Sequence, residues 1–128
     1  MQVTALEWNS TGTSICCAYG RNDHESVCTH RAALCTWNID RLKIDVNKPD
    51  VTVETGCCIS SIACHPDYPG IVAVGLFNGE INIYDVRQPE PLVATITDKK
   101  ELHRDEVTVL KWIKDPKTSK KKYLVIFV

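Results

Sequence analysis

The chain has 128 residues, 44% of them hydrophobic, with 15 Lys and Arg against 16 Asp and Glu. That is the length of one ordinary domain with enough apolar material for a core, and a net charge of −1 excludes a general electrostatic pull toward nucleic acid or anionic lipid. The opening residues MQVTALEWNS carry no basic or signal-like apolar segment, and the longest apolar runs, IVAVGLF and YLVIFV, are too short for a helix to span a bilayer. A soluble, intracellular chain without membrane insertion is expected.

In chain order the pattern reads as strands nearly throughout, without helical periodicity. Val3–Ala5 and Leu6–Trp8 open the first cycle, NSTG turns it, SICCAY (14–19) follows, and after the polar stretch GRNDHESVCTHR come AALCTWNI (32–39) and DVTVET. A second cycle runs CISSIAC (58–64), HPDYPG, IVAVGLF (71–77), NG, EINIYDV (80–86), RQPEP and LVATIT (92–97). Asn78-Gly79 between alternating apolar runs predicts a hairpin with a type I′ turn, which needs positive φ at both positions. A third cycle starts in HRDEVTVLKWIKD (103–115), passes PKTSKKK and stops at YLVIFV with no hairpin partner, a bare and β-prone edge.

The cycles repeat at fixed offsets. Val3 and Leu6 recur as Ile59 and Ile62 after 56 residues, Ile59 and Ile62 as Val107 and Leu110 after 48, and Trp37 as Tyr84 after 47. A four-stranded unit at that spacing suggests propeller blades: residues 1–56 with an insertion at about 20–31, residues 57–98, and the beginning of a third blade at 99–128. The fold class predicted is therefore all-β, a partial β-propeller of about two four-stranded blades plus the start of a third. A lone blade exposes both faces and two and a half cannot close a ring, so the chain is expected to be part of a larger propeller or a truncated product of one.

GEINIYDVR resembles the end of a WD repeat with Tyr84-Asp85 in the Trp-Asp position, and CTWNID resembles the same element with Trp37 followed by Asn38. LHRDEVTVLKW resembles the loop that carries the family's His, here His103. The resemblance implies a structural role for these residues and for Asn78 and Gly79, because in WD repeats a His, a hydroxyl, a turn Asp and the Trp form a buried hydrogen-bonded set. This chain departs from the pattern: Asn78 stands at the turn Asp position and VAVGL offers no hydroxyl.

CHPDYPGIVAVGL followed by FNGEINIYDVRQPEPLV resembles the dynein intermediate chains. VTALEWNSTGTSICCAYGRNDHESV with LCTWNIDR is nearer to those of cytoplasmic dynein two, the ciliary retrograde motor. The resemblance implies a noncatalytic scaffold whose propeller binds the dynein heavy chain and other dynein-two subunits for retrograde intraflagellar transport. It places the chain in cytoplasm, cytoskeleton and cilium, at axoneme and basal body. The resemblance also implies that light-chain sites lie in an N-terminal extension of the family, so they are expected to be absent from this chain and light-chain binding is not expected of it. A WD scaffold of another multiprotein complex is the alternative, and Arg21, Tyr68 and Phe77 are the exposed-loop residues expected to meet partners.

Chemistry is not expected. Tyr84 and Asp85 are adjacent on a strand and face opposite ways, which suits packing and strand-end hydrogen bonds rather than proton transfer. Cys64-His65 with Asp67 has the residue types of a Cys-His hydrolase, but successive strand residues do not converge, and His103 fits a structural loop role better than that of a base. Cys28, His30 and Cys35 with His24 lack regular zinc-ligand spacing, and KTSKKK lacks the interleaved aromatics of a nucleic-acid surface. No Gly-rich phosphate loop lies between a strand and a helix, and no cofactor is expected. The seven cysteines include the neighbours Cys16-Cys17 and Cys57-Cys58, whose opposite facing on a strand disfavours a shared metal or bridge, so reduced, buried thiols are expected.

Overall fold

The computed structural model describes residues 2–20, 32–40, 43–96, 109–114 and 122–127, and every regular element among them is a strand. Strands β1 (Gln2–Trp8), β2 (Ser14–Gly20), β3 (Ala32–Asn38) and β4 (Val51–Thr55) form one antiparallel sheet in chain order. Strands β5 (Ile59–Cys64), β6 (Ile71–Leu76), β7 (Ile81–Asp85) and β8 (Leu92–Ile96) repeat that meander. Then β9 (Val109–Lys114) pairs with β10 (Lys122–Phe127), from Lys122 opposite Lys114 to Phe127 opposite Val109. The last apolar run is thus the second arm of a hairpin, which corrects its expected lack of a partner. The fold is all-β, a partial propeller whose sheets do not close.

The sheets stack through their first strands: β1 and β2 lie against β5, and β5 and β6 lie against β9. Alternation along β6 decides which side chain goes where. Val72, Val74 and Leu76 join Cys16, Ala18, Leu34, Cys57, Ile59 and Tyr84 in the core between the first and second sheets. Ala73 turns the other way and joins Ala63, Ile81 and Leu110 between the second and third. With neighbours on both sides, β6 is buried from Val72 through Leu76, which is why it reads as a continuous apolar run. Each fully buried aliphatic side chain here, such as Leu34, contributes roughly 1.5–3 kcal/mol by leaving water.

The first strands carry the same irregularity. The register of β1 on β2 slips between Val3 and Ala5, and that of β5 on β6 slips between Ile59 and Ser61. Each bulge centres on a hydroxyl residue that donates to a carbonyl of the neighbouring strand: Thr4 Oγ1 to Ala18 O at 3.3 Å and Ser60 Oγ to Gly75 O at 3.1 Å. The two lie 56 residues apart, the offset that relates Val3 to Ile59. The bulge also explains the spacing of three between Val3 and Leu6, since the extra residue restores a common face.

The Asn78-Gly79 hairpin differs from the expected type I′ turn. Gly79 N donates to Leu76 O at 3.1 Å, Leu76 N donates to Glu80 O at 2.8 Å, and Gly79 has φ 90°. That is a three-residue loop, Phe77-Asn78-Gly79, with a left-handed glycine bulge. Phe77 is drawn out of the strand and onto the core, where its N–H donates to Cys58 O at 2.9 Å.

Candidate functional site

Tyr84 is 4% exposed and packs in the core between the first two sheets, its hydroxyl accepting from Asn82 Nδ2 at 3.0 Å. Burial pushes its phenol up, against a smaller downward effect of the Asn82 hydrogen bond. Asp85 does different work at the strand end. Its Oδ1 accepts from Arg87 N at 3.1 Å, and its own backbone bonds Pro91 O at 2.8 Å and Gln88 N at 3.1 Å. The pair thus divides its labour between packing and strand termination, and no acid or base converges on it among the described residues.

Trp37, on the outward face of the first sheet, lies opposite Ile15 and beside a groove of ≈ 540 Å³ walled by Tyr19, Val46, Pro49 and Glu54. Its indole Nε1 is buried and finds no acceptor among the described residues. Asn38 closes the strand: its N–H donates to Asp50 Oδ2 at 2.6 Å, while its Oδ1 accepts from Asp40 N at 3.0 Å. Asn78, exposed at the hairpin tip, accepts from Glu80 N at 3.0 Å and reaches no neighbouring strand with that bond.

His65 sits where β5 turns toward β6 and is 7% exposed. Its Nδ1 accepts from the backbone N–H of Asp67 at 3.0 Å and of Tyr68 at 3.1 Å, which assigns the ring proton to Nε2 in the neutral form. The ring lies 4.9 Å from Tyr68 and 4.6 Å from Trp112, whose Nε1 donates across the sheets to Ala63 O at 3.0 Å. His65 is a turn cap held by two aromatics, with Nδ1 already engaged by two donors. Asn9, 56 residues earlier, does the same job: it is 8% exposed, and its Oδ1 accepts from Thr13 N at 2.9 Å and Ser14 N at 3.1 Å. Sequence reading passed over this correspondence, although the offset would have found it.

Of the expected contact residues, Tyr68 is 62% exposed, whereas Phe77 is half-buried against the core. Loop position suggested exposure for Phe77, but the bulged turn directs it inward. Arg21, His103, His24, Cys28 and His30 lie outside the described residues. Cys35 donates to Thr52 Oγ1 at 3.8 Å, and among the described residues no cluster of three or more His, Cys, Asp or Glu could hold a metal ion.

A second group of polar side chains lies between the first two sheets. Glu7 is the cross-strand partner of Cys16, and Cys16 shares a thiol–thiol hydrogen bond with Cys64 of the second sheet. Burial raises the Glu7 carboxyl, and the Cys64 N–H that it accepts partly offsets this. The bond from Cys64 lowers the Cys16 thiol, against burial and the nearby Glu7 charge, while the same bond and burial push Cys64 far up.

No protein-family model matches the chain. Individual proteins do. Over 120 residues, 93% of this chain, it is 37% identical to cytoplasmic dynein 2 intermediate chain 2 of Mus musculus, and over 117 residues, 91% of it, 36% identical to the Homo sapiens protein of that name. This chain is a relative of the dynein intermediate chains. Dynein axonemal intermediate chain 1 of Mus musculus is more distant, 27% identical over 117 residues that cover 90% of this chain and 16% of its own length. The chain spans only 22% of the two dynein 2 intermediate chains. Their similarity runs through both four-stranded sheets.

Proposed function

We propose that this dynein intermediate chain relative is a noncatalytic WD-type scaffold of the dynein-two complex, binding the dynein heavy chain and acting with other dynein-two subunits in retrograde intraflagellar transport. The observation that carries the reading is the 37% identity across 93% of the chain. The geometry gives Tyr84-Asp85 and His65 structural work, in packing and turn closure. Its place of action is cytoplasm, cytoskeleton and cilium, including axoneme and basal body.

In this reading residues 1–56, 57–98 and 99–128 are successive blades, with Trp37, Asn38, Asn78, Gly79, Tyr84, Asp85 and His103 as their WD-type structural positions. Tyr68, with Arg21, is assigned to partner contact because an exposed aromatic on a rigid turn is a good anchor. The test is affinity capture of the tagged protein from ciliated cells. Recovery of a dynein heavy chain supports the proposal, and recovery of another multiprotein complex without any dynein overturns it. Tyr68→Ala is expected to weaken heavy-chain recovery with only a small fall in melting temperature, since its exposed ring also borders His65.

A further inference from the structure

We propose that Asn78-Gly79 is a self-modifying site, at which the side-chain amide of Asn78 is lost as ammonia through a succinimide and the hairpin tip of the second sheet acquires a carboxylate. Six asparagines stand in the chain, and Asn78 alone precedes a glycine. It is exposed at the turn, and its Oδ1 accepts from Glu80 N at 3.0 Å, so the side chain is folded forward along the peptide that attacks it. Gly79 brings no Cβ to crowd that nitrogen, and its φ of 90° reserves the position for glycine. The nitrogen must release its bond to Leu76 O before it attacks, which takes a local opening at an exposed tip rather than unfolding of the sheet. Asn38 is a control within the same chain: its Oδ1 accepts from Asp40 N, also at 3.0 Å, but the next nitrogen belongs to the β-branched Ile39. Asn9 is buried, with its Oδ1 held by two backbone donors.

The chemistry needs only water. Gly79 N gives up its proton and bonds to Asn78 Cγ; the Cγ–Nδ2 bond breaks, and the amide leaves as ammonia carrying one proton in return. Water then opens the cyclic imide. Breaking the new Cγ–N bond yields aspartate in an unaltered backbone. Breaking the backbone C–N bond yields isoaspartate, whose chain runs through Cβ and Cγ. The two products serve the turn differently. Aspartate keeps an acceptor for Glu80 N, as Asp45 and Asp85 do elsewhere by accepting from the N–H two residues on, at 2.9 Å and 3.1 Å. Isoaspartate lengthens a loop whose first residue, Phe77, is anchored through its N–H to Cys58 O at 2.9 Å.

The test holds the folded protein in neutral buffer at body temperature, maps its peptides by mass spectrometry at intervals and scores isoaspartate by labelling with an isoaspartyl methyltransferase. The expected result is a gain of ~1 Da at Asn78, –NH2 replaced by –OH, on the order of tenfold sooner than at Asn38, with the isoaspartyl label in the same peptide. Gly79→Ala should delay the gain, and the isoaspartyl fraction, separated by ion exchange, should melt below the aspartyl one. Conversion of Asn38 or Asn47 ahead of Asn78, no gain at Asn78, or a gain that appears only after urea unfolding each overturns the proposal. Should Gly79→Ala fail to fold by circular dichroism, the order of conversion within the unsubstituted protein decides alone.

Discussion

The strand that opens the first sheet recurs at the start of the third, yet the two strands meet water differently. Leu6 and Trp8 on β1 are 63% and 52% exposed, while Leu110, two repeat offsets after Leu6, is 7% exposed against Ala63, Ala73 and Ile81. Trp112, at the same two offsets from Trp8, hooks its indole onto Ala63 O and lies over His65. One repeat position is thus core or surface according to whether another sheet stands in front of it. Burial in this architecture belongs to the stacking rather than to the residue.

The largest expected contrast uses those matched positions. Leu110→Ala should cost about 2–5 kcal/mol of the third sheet's attachment, as for other buried leucines. Leu6→Ala should fall within about 0.5 kcal/mol, as at other exposed sites. Denaturant melts of both variants measure the contrast, and equal losses would break the comparison. Next comes the seam between the first two sheets, where a Cβ on Gly20 would lie 2.9 Å from Cys58 Cβ, whereas one on Gly56 meets nothing within 4 Å. Gly20→Ala should cost about 1–3 kcal/mol by overpacking. Gly56→Ala should show no such loss in thermal melts.

The two turn caps give a smaller effect. His65→Ala should cost about 0.5–1.5 kcal/mol by removing the acceptor for Asp67 and Tyr68 N–H. His65→Asn should recover part of it, since Asn9 fills the corresponding role, and thermal melts of the pair measure the rescue. The smallest effect concerns Glu7, whose carboxyl burial raises. The folded state favours its protonated form, so the stability it contributes is full at acid pH and lost as pH rises through the raised value. Glu7→Gln does not titrate and keeps an acceptor for Cys64 N–H. It should be the more stable form at neutral pH, with the gap shrinking as pH falls through the carboxyl range in melts taken across pH.

The strands were legible because alternation is a local property: Ile15 to Tyr19 and Ile81 to Tyr84 declare their faces without help from the rest of the chain. The break of alternation at Thr4 and Ser60 was present as a spacing of three between apolar residues, but only the pairing register reveals it as a bulge. Phe77 was misleading because loop position suggests exposure, and the Gly79 bulge redirects it. The thiol pair was illegible for a deeper reason. Cys16 and Cys64 belong to different sheets, and nothing in local patterning states which faces will meet.

The corresponding turn caps have a consequence for how this repeat can drift. Asn9 and His65 share no side-chain shape, nor do Thr4 and Ser60 share a methyl group, yet each pair supplies the same donor or acceptor to the same kind of backbone partner. What recurs along the chain is a set of hydrogen-bonding offices that several residue types can hold. A fold kept by offices can exchange most of its letters, blade by blade, while every backbone partner is still served.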